Sequence, residues 1–252
     1  RAARRGTPPP LVALLHGGPH ATRDSWGFDP EVQLLASDGY AVLQVNFRGS
    51  GGYGQAYQEA GYRRWGDRVV EDVIDAVRRA VAMGQADPGR ICVYGSSFGA
   101  YAALQATVVA PDLFRCAVGD AGVYDLSRVA SIENIAESAL GRGFVGVAVG
   151  DDPAALKAAS PARNADKIRA RVLLIHGEED RRAPIEQAER MRDALAARGR
   201  PAEWLVEPRE AHGFYDEGAR ARMYARILRF LEDSLGPGPS ADGKERAAPL
   251  HP

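Results

Sequence analysis

Ser97 stands between Gly95 and Gly99, where the apolar run Ile91–Tyr94 stops and a helical pattern begins at once. A G-x-S-x-G segment joining a strand to a helix makes a turn so sharp that the central side chain clears the main chain. The two glycines leave room for the neighbouring strand and helix. The free N–H groups opening the helix favour a negative charge that develops beside the serine. An ordinary Gly/Ser turn would match the same five residues, so the reading needs a base, because a serine hydroxyl is a poor nucleophile alone. Of five histidines, His251 lies in the C-terminal tail, while His212 sits in "EPREAHGFYDEG", between the last strand-like run and the last helical pattern. Asp180 sits in "LLIHGEEDRRAP", just past the preceding strand-like run. Serine, aspartate and histidine thus each follow a strand end, in the chain order of one of the known arrangements of a nucleophile, a base and the carboxylate that orients it. Glu178 and Glu179 are rival carboxylates and read as solvated loop charges. The chemistry that this set can do is acyl transfer.

An acyl-transfer site also needs donors for the oxyanion. "LLHGGPH" (14–20) follows the first strand-like run with small residues that let main chain approach a substrate. The N–H of Gly18, with that of Gly17 as an alternate, and the N–H of Phe98 are the expected donors. His16 and His20 have the i, i+4 spacing of a helical metal site, but Gly17, Gly18 and Pro19 rule against a helix there. Neither a metal nor a cofactor is expected.

These residues must be carried by elements that bring strand ends together. Apolar runs recur at 11–16, 40–47, 90–95, 114–119, 171–177 and 203–208. Most are continuous rather than alternating, as parallel strands covered on both faces are. Helical patterns lie between them: "RVVEDVIDAVRRAVAMG", with Val69, Val73, Val77 and Val81 on one stripe; "SFGAYAALQATVVA"; "PIEQAERMRDALAARG", from Pro184 to Gly199; and "EGARARMYARILRFLEDSLG". Alternation of this kind predicts an α/β fold, a mostly parallel sheet with helices on both faces. Residues 127–170 are the least regular and read as a glycine-rich, flexible excursion beside the sheet. Residues 1–10 read as a mobile arm, 11–235 as the catalytic domain and 236–252 as a disordered tail.

Bulk properties narrow the partners. The 252 residues suit one domain, and 45% hydrophobic residues mark it as globular. With 32 basic and 33 acidic residues, the net charge of -1 offers no field for nucleic acid or an anionic membrane. No apolar run approaches the roughly 18 residues of a membrane span, and no apolar leader follows Arg1. The compartment stays open: cytoplasmic or periplasmic. Cys92 and Cys116 each lie in an apolar run and read as buried, inert thiols.

In order along the chain, "HGGPH", "VNFRGSGGYG", "WGDRVVEDV", "GSSFGAYAAL", "HGEEDRRAPIEQAERM" and "EAHGFY" resemble the catalytic domain of the prolyl oligopeptidase family of serine peptidases, in its acylaminoacyl-peptidase-like and dipeptidyl-peptidase-like branch. The resemblance covers roughly residues 10 to 235. It implies an α/β-hydrolase fold, Ser97 as nucleophile, Asp180 and His212 as its partners, and Gly18 and Phe98 as oxyanion donors. It further implies a substrate pocket lined by Phe98, Val123, Leu126 and Ala183, apolar and without charge preference, with Val123 and Leu126 equally readable as plain core; Asp120 nearby is left unexplained by it. Arg48 is expected to pair with Asp72 rather than to touch substrate. The sequence departs from the family at Ala100, where a second glycine usually follows the turn, and in the segment before residue 10, where members carry a β-propeller. The implied activity is hydrolysis of short peptides through an acyl-enzyme. The alternative is a carboxylesterase that works on small esters with the same residues; a non-catalytic binding module is disfavoured by the intact set. The expected partners are a short peptide or small ester, together with self-association or an upstream propeller domain.

Overall fold

Each apolar run forms a strand: β1 (Leu11–Leu15), β2 (Ala41–Gln44), β3 (Ile91–Ser96), β4 (Cys116–Asp120), β5 (Arg171–Gly177) and β6 (Glu203–Glu207). In the computed structural model of the chain, which describes residues 7–236, they pair in parallel into one sheet of order β2-β1-β3-β4-β5-β6. The interior strands are almost wholly buried, and the edge strands β2 and β6 are mostly half-buried. That difference matches continuous apolar sequence in the middle of the sheet and mixed sequence at its margins.

Alternate residues of each strand feed two cores. Val12, Leu14, Cys92, Tyr94, Val118 and Ile175 face one side, where α1 (Pro30–Ser37) and α9 (Glu217–Leu235) supply Leu35, Ile227 and Leu231. Ala13, Leu15, Val93, Ala117 and Leu174 face the other. There α2 (Gln55–Glu59) lies outside the core, α3 (Arg68–Ala82) buries Val69, Val73 and Val77, and α4 (Phe98–Val109) is buried from Phe98 to Val108. Val81, expected on the α3 stripe, is only half-buried. A helix buried all round has no polar face to mark it, and only the strand before it and Pro111 after it delimit α4 in the sequence.

The stretch read as a flexible excursion is largely helical. It runs through a 3₁₀ stretch (Leu126–Ser131), α5 (Glu133–Ala136), α6 (Ala139–Ala148), α7 (Pro153–Ala158) and a second 3₁₀ stretch (Pro161–Lys167) before β5. Glycines at 141, 143 and 146 lower the helix propensity of α6. Its order comes from capping by Ser138, which accepts the Gly141 N–H, and from burying Val145 and Ala148. Then α8 (Glu186–Ala196) packs Ala188, Met191 and Leu195 against the sheet.

Two further expectations need correction. Cys92 and Cys116 are not separate thiols: they are register partners on β3 and β4, with Cα atoms 4.6 Å apart, and are joined as a disulfide. The pairing follows from a register that the sequence does not display. Pro9 and Pro10, placed in the mobile arm, have carbonyls that accept the N–H groups of Asp87 and Ala41, so ordered main chain starts ahead of β1. Residues 1–6 and 237–252, the remainder of the arm and nearly all of the tail, lie outside the described residues.

Candidate active site

The turn between β3 and α4 is tight enough to dictate its own sequence. Ser97 has φ 57 and ψ -119, a left-handed conformation that side-chain-bearing residues seldom adopt. A Cβ on Gly95 would stand 2.4 Å from the carbonyl carbon of Gly99, and one on Gly99 would stand 2.1 Å from the Leu15 carbonyl oxygen. Both positions require glycine because β3, α4 and β1 converge there. Ala100, the departure from the family pattern, is fully buried, and its methyl fits because residue 122 is glycine: a Cβ there would come within 2.7 Å of it. The turn is also tied sideways to β4, since the Ser97 N–H donates to the Asp120 carbonyl at 2.8 Å.

His212 and Asp180 arrive on two loops that are bonded to each other. The N–H of Glu178 donates to the Glu207 carbonyl and that of Glu179 to the Glu210 carbonyl, which fastens the loop after β5 to the loop after β6. Buried Glu210 in turn accepts the N–H groups of Tyr215 and Asp216 and so shapes the loop around His212. Glu178 and Glu179 themselves are exposed.

Ser97, His212 and Asp180 form one hydrogen-bonded line. The Ser97 hydroxyl lies 2.9 Å from His212 Nε2, and His212 Nδ1 lies 2.7 Å from Asp180 Oδ2. Nδ1 therefore donates to the carboxylate and leaves Nε2 to accept the serine proton. The other carboxylate oxygen, Oδ1, accepts the N–H groups of Arg182 and Ala183 at 2.8 and 2.9 Å. Burial alone would raise the pKa of Asp180. The bonds from His212, Ala183 and Arg182 outweigh it and hold the carboxyl below its ordinary value. Beneath it, His176 donates Nε2–H to the Ala183 carbonyl at 2.7 Å; burial keeps this imidazole neutral by lowering its pKa.

Gly18 and Ser97 line one open cleft of about 590 Å³ with Val123, Arg182, Ala183 and His212. Gly18 has φ 115, which a residue with a side chain would resist. Phe98 is the first residue of α4, so its N–H is among the first-turn donors that have no partner within the helix. A smaller cavity of about 140 Å³ opens from the same serine, and its walls include Phe98, Val123 and Leu126. Of the expected pocket residues, Val123 thus lines both spaces, Leu126 the inner one and Ala183 the outer one.

The sequence did not single out several other wall residues. Trp65 packs edge-on to Phe98 at 4.8 Å between ring centroids, while Ile135 and Phe144 reach the cavity from α5 and α6. Arg182 lines both spaces, and its position two residues past Asp180 was the available signal. His16 and His20 have their ring nitrogens engaged by protein groups. His16 meets the Gly17 carbonyl and the Ser50 hydroxyl; His20 accepts Trp65 Nε1–H and faces the Gly49 carbonyl. Arg48 makes a two-pronged pair with Asp72 at 2.7 and 2.6 Å, which anchors the loop after β2 to α3.

The prolyl oligopeptidase family model matches residues 26–238. The chain is 34% identical over 236 residues to dipeptidyl peptidase family member 6 of Caenorhabditis elegans, covering 91% of this chain and 32% of that protein. It is 34% identical over 252 residues to dipeptidyl aminopeptidase BIII of Pseudoxanthomonas mexicana, covering 94% and 35%. Among solved structures, a Mycobacterium tuberculosis puromycin-hydrolyzing peptidase superposes with a TM-score of 0.86 at 36% identity, over 93% of this chain and 35% of that one. The chain spans about a third of the length of these relatives.

Proposed function

This chain belongs to the prolyl oligopeptidase family, and from that premise we propose that it is the hydrolytic part of a serine peptidase cleaving short peptides. The observation that carries the reading is the unbroken line from Ser97 through His212 to Asp180, at 2.9 and 2.7 Å. His212 takes the Ser97 proton as the oxygen attacks the peptide carbonyl, and Asp180 stabilises the imidazolium that forms. The N–H groups of Gly18 and Phe98 receive the oxyanion. His212 then protonates the leaving amine, and water hydrolyses the acyl-enzyme by the same route.

Val123, Leu126 and Phe98 give the inner cavity apolar walls. An uncharged, apolar residue on the acyl side of the cut suits it, because a cationic one would be buried without a partner and beside the Arg182 guanidinium that shares the lining. Arg182, at the mouth, offers guanidinium donors to a carbonyl of the peptide. The test compares a peptide anilide with an apolar acyl residue, the same anilide with a lysine there, and a short-chain ester. The apolar anilide should be preferred over the charged one by at least about a hundredfold in kcat/KM, the worth of roughly 3 kcal/mol. Turnover of the ester alone would make the chain a carboxylesterase.

We also infer a covering partner, a second copy or a propeller domain, over the face near α1. Trp26 is 106% exposed and Phe28 82%, an unusual display for large apolar side chains. Light scattering on this chain alone should show self-association that weakens when both are changed to serine. A monomer at every concentration, or self-association unchanged in the double serine variant, would overturn the second copy as the occupant of this face.

A further inference from the structure

Asp120 closes β4 as the register partner of Ser96, the residue before the candidate nucleophile. It is 6% exposed. Its carbonyl accepts the Ser97 N–H at 2.8 Å, and its Oδ2 accepts the Ser96 hydroxyl at 3.0 Å. Its Oδ1 is buried with no hydrogen-bond partner among the described groups. The next residue, Ala121, has φ 50 and donates its N–H to the Ile175 carbonyl on β5, the strand that leads to Asp180. Asp120, register partner of both Ser96 and Ile175, and the residue after it thus tie β3, which ends at the serine turn, to β5, which leads to Asp180. A buried carboxylate with an unsatisfied oxygen is costly, and such a cost persists where the charge has a use.

We propose that Asp120 is a positioning residue of the acyl-transfer site: it locks the serine turn from behind through Ser96, and its ionised form attracts the imidazolium that His212 becomes. The inference rests on the reading of Ser97 and His212 given above. Other groups act in the same region. Ser96 and Tyr94 come from β3, Glu31 from α1, Tyr224 from α9, and Tyr124, Asp180 and His212 from the loops after β4, β5 and β6. Burial pushes the Asp120 carboxyl up to about 6, against the opposing pull of the Ser96 bond and the attraction of His212, while Asp180 pushes it further up. Glu31, which accepts the Tyr94 hydroxyl, is pushed up to about 7, first by burial. For a raised carboxyl the fold gains stability below the ordinary value and loses it as pH rises through about 6. Asp120 therefore works, ionised, at a cost in stability.

The test is the rate at which a neutral fluorophosphonate labels Ser97, followed from mildly acidic to mildly alkaline pH. The parent chain should lose rate over two ionisations on the acidic side. Asp120→Asn keeps the shape and an acceptor for Ser96 but removes the charge. It should show one ionisation and a plateau lower by roughly tenfold, equivalent to about one pKa unit, with a higher melting temperature than the parent at alkaline pH. Ser96→Ala should keep both ionisations and move the Asp120 step to higher pH, because the bond that favours the charged form is gone. Should Asp120→Asn fail to fold, the Ser96→Ala shift decides. An Asp120→Asn profile and plateau equal to the parent's would overturn the proposal, as would loss of the second ionisation in Glu31→Gln. A folded parent that is not labelled at Ser97 overturns instead the reading of the serine, and the proposal with it.

Discussion

Ser97→Ala should lower peptide turnover by about 10⁴- to 10⁶-fold, leaving only what the oxyanion donors and binding supply. The size of the loss follows from the geometry. The Ser97 hydroxyl is held in a strained turn at φ 57, 2.9 Å from His212 Nε2 and beside the open cleft. Its neighbour Ser96 has the same chemistry but not the same place, because its hydroxyl is engaged by Asp120. A fluorophosphonate should therefore add to Ser97 alone, as mass spectrometry of the labelled peptide would show. Labelling at Ser96, or a folded sample with none, would remove the basis for a nucleophilic turn. The substitution should not impair folding, since the alanine methyl fills less space than the side chain that it replaces and the turn's main-chain bond to Asp120 is untouched.

The difference between Ser96 and Ser97 also shows what the sequence can and cannot carry. The strand-to-helix pattern names Ser97, because Gly95 and Gly99 are demanded by the approach of β3, α4 and β1. It is silent on Asp120, whose role depends on the register that sets residue 96 beside residue 120. The same register, invisible in two separate apolar runs, joins Cys92 to Cys116. The central strands were legible because burial on both faces forces continuous apolar sequence. The region 126–167 was not, because α6 carries three glycines and owes its order to the core beneath it rather than to propensity. With that region went Ile135 and Phe144 as cavity walls. Helix α1 was legible and overlooked: Asp29 accepts two N–H groups of its first turn, and Pro30 follows, an ordinary start signal.

Asp180→Asn should lower turnover by about 10⁴-fold while the chain keeps its fold, a loss that arises from a proton in the wrong place. The asparagine oxygen can still accept the Arg182 and Ala183 N–H groups that Asp180 Oδ1 accepts at 2.8 and 2.9 Å. Its amide nitrogen then faces His212 Nδ1, where Asp180 Oδ2 stood at 2.7 Å. A donor in that place selects the imidazole tautomer that carries its proton on Nε2, and that nitrogen can no longer accept from Ser97. The imidazolium of the transition state loses its counter-charge as well. Stability should follow a different course. Because the carboxyl is held below its ordinary value, Asp180 contributes stability above that value, and the contribution is lost as pH falls through the lowered one. The variant should thus melt below the parent near neutral pH, and the gap should close in acid as the parent's carboxylate takes up its proton. Melting curves across that range, with turnover measured on the same samples, separate the two effects. A variant that retains parental turnover would show that some other carboxylate orients His212, and Asp180 would then be only the anchor of its loop.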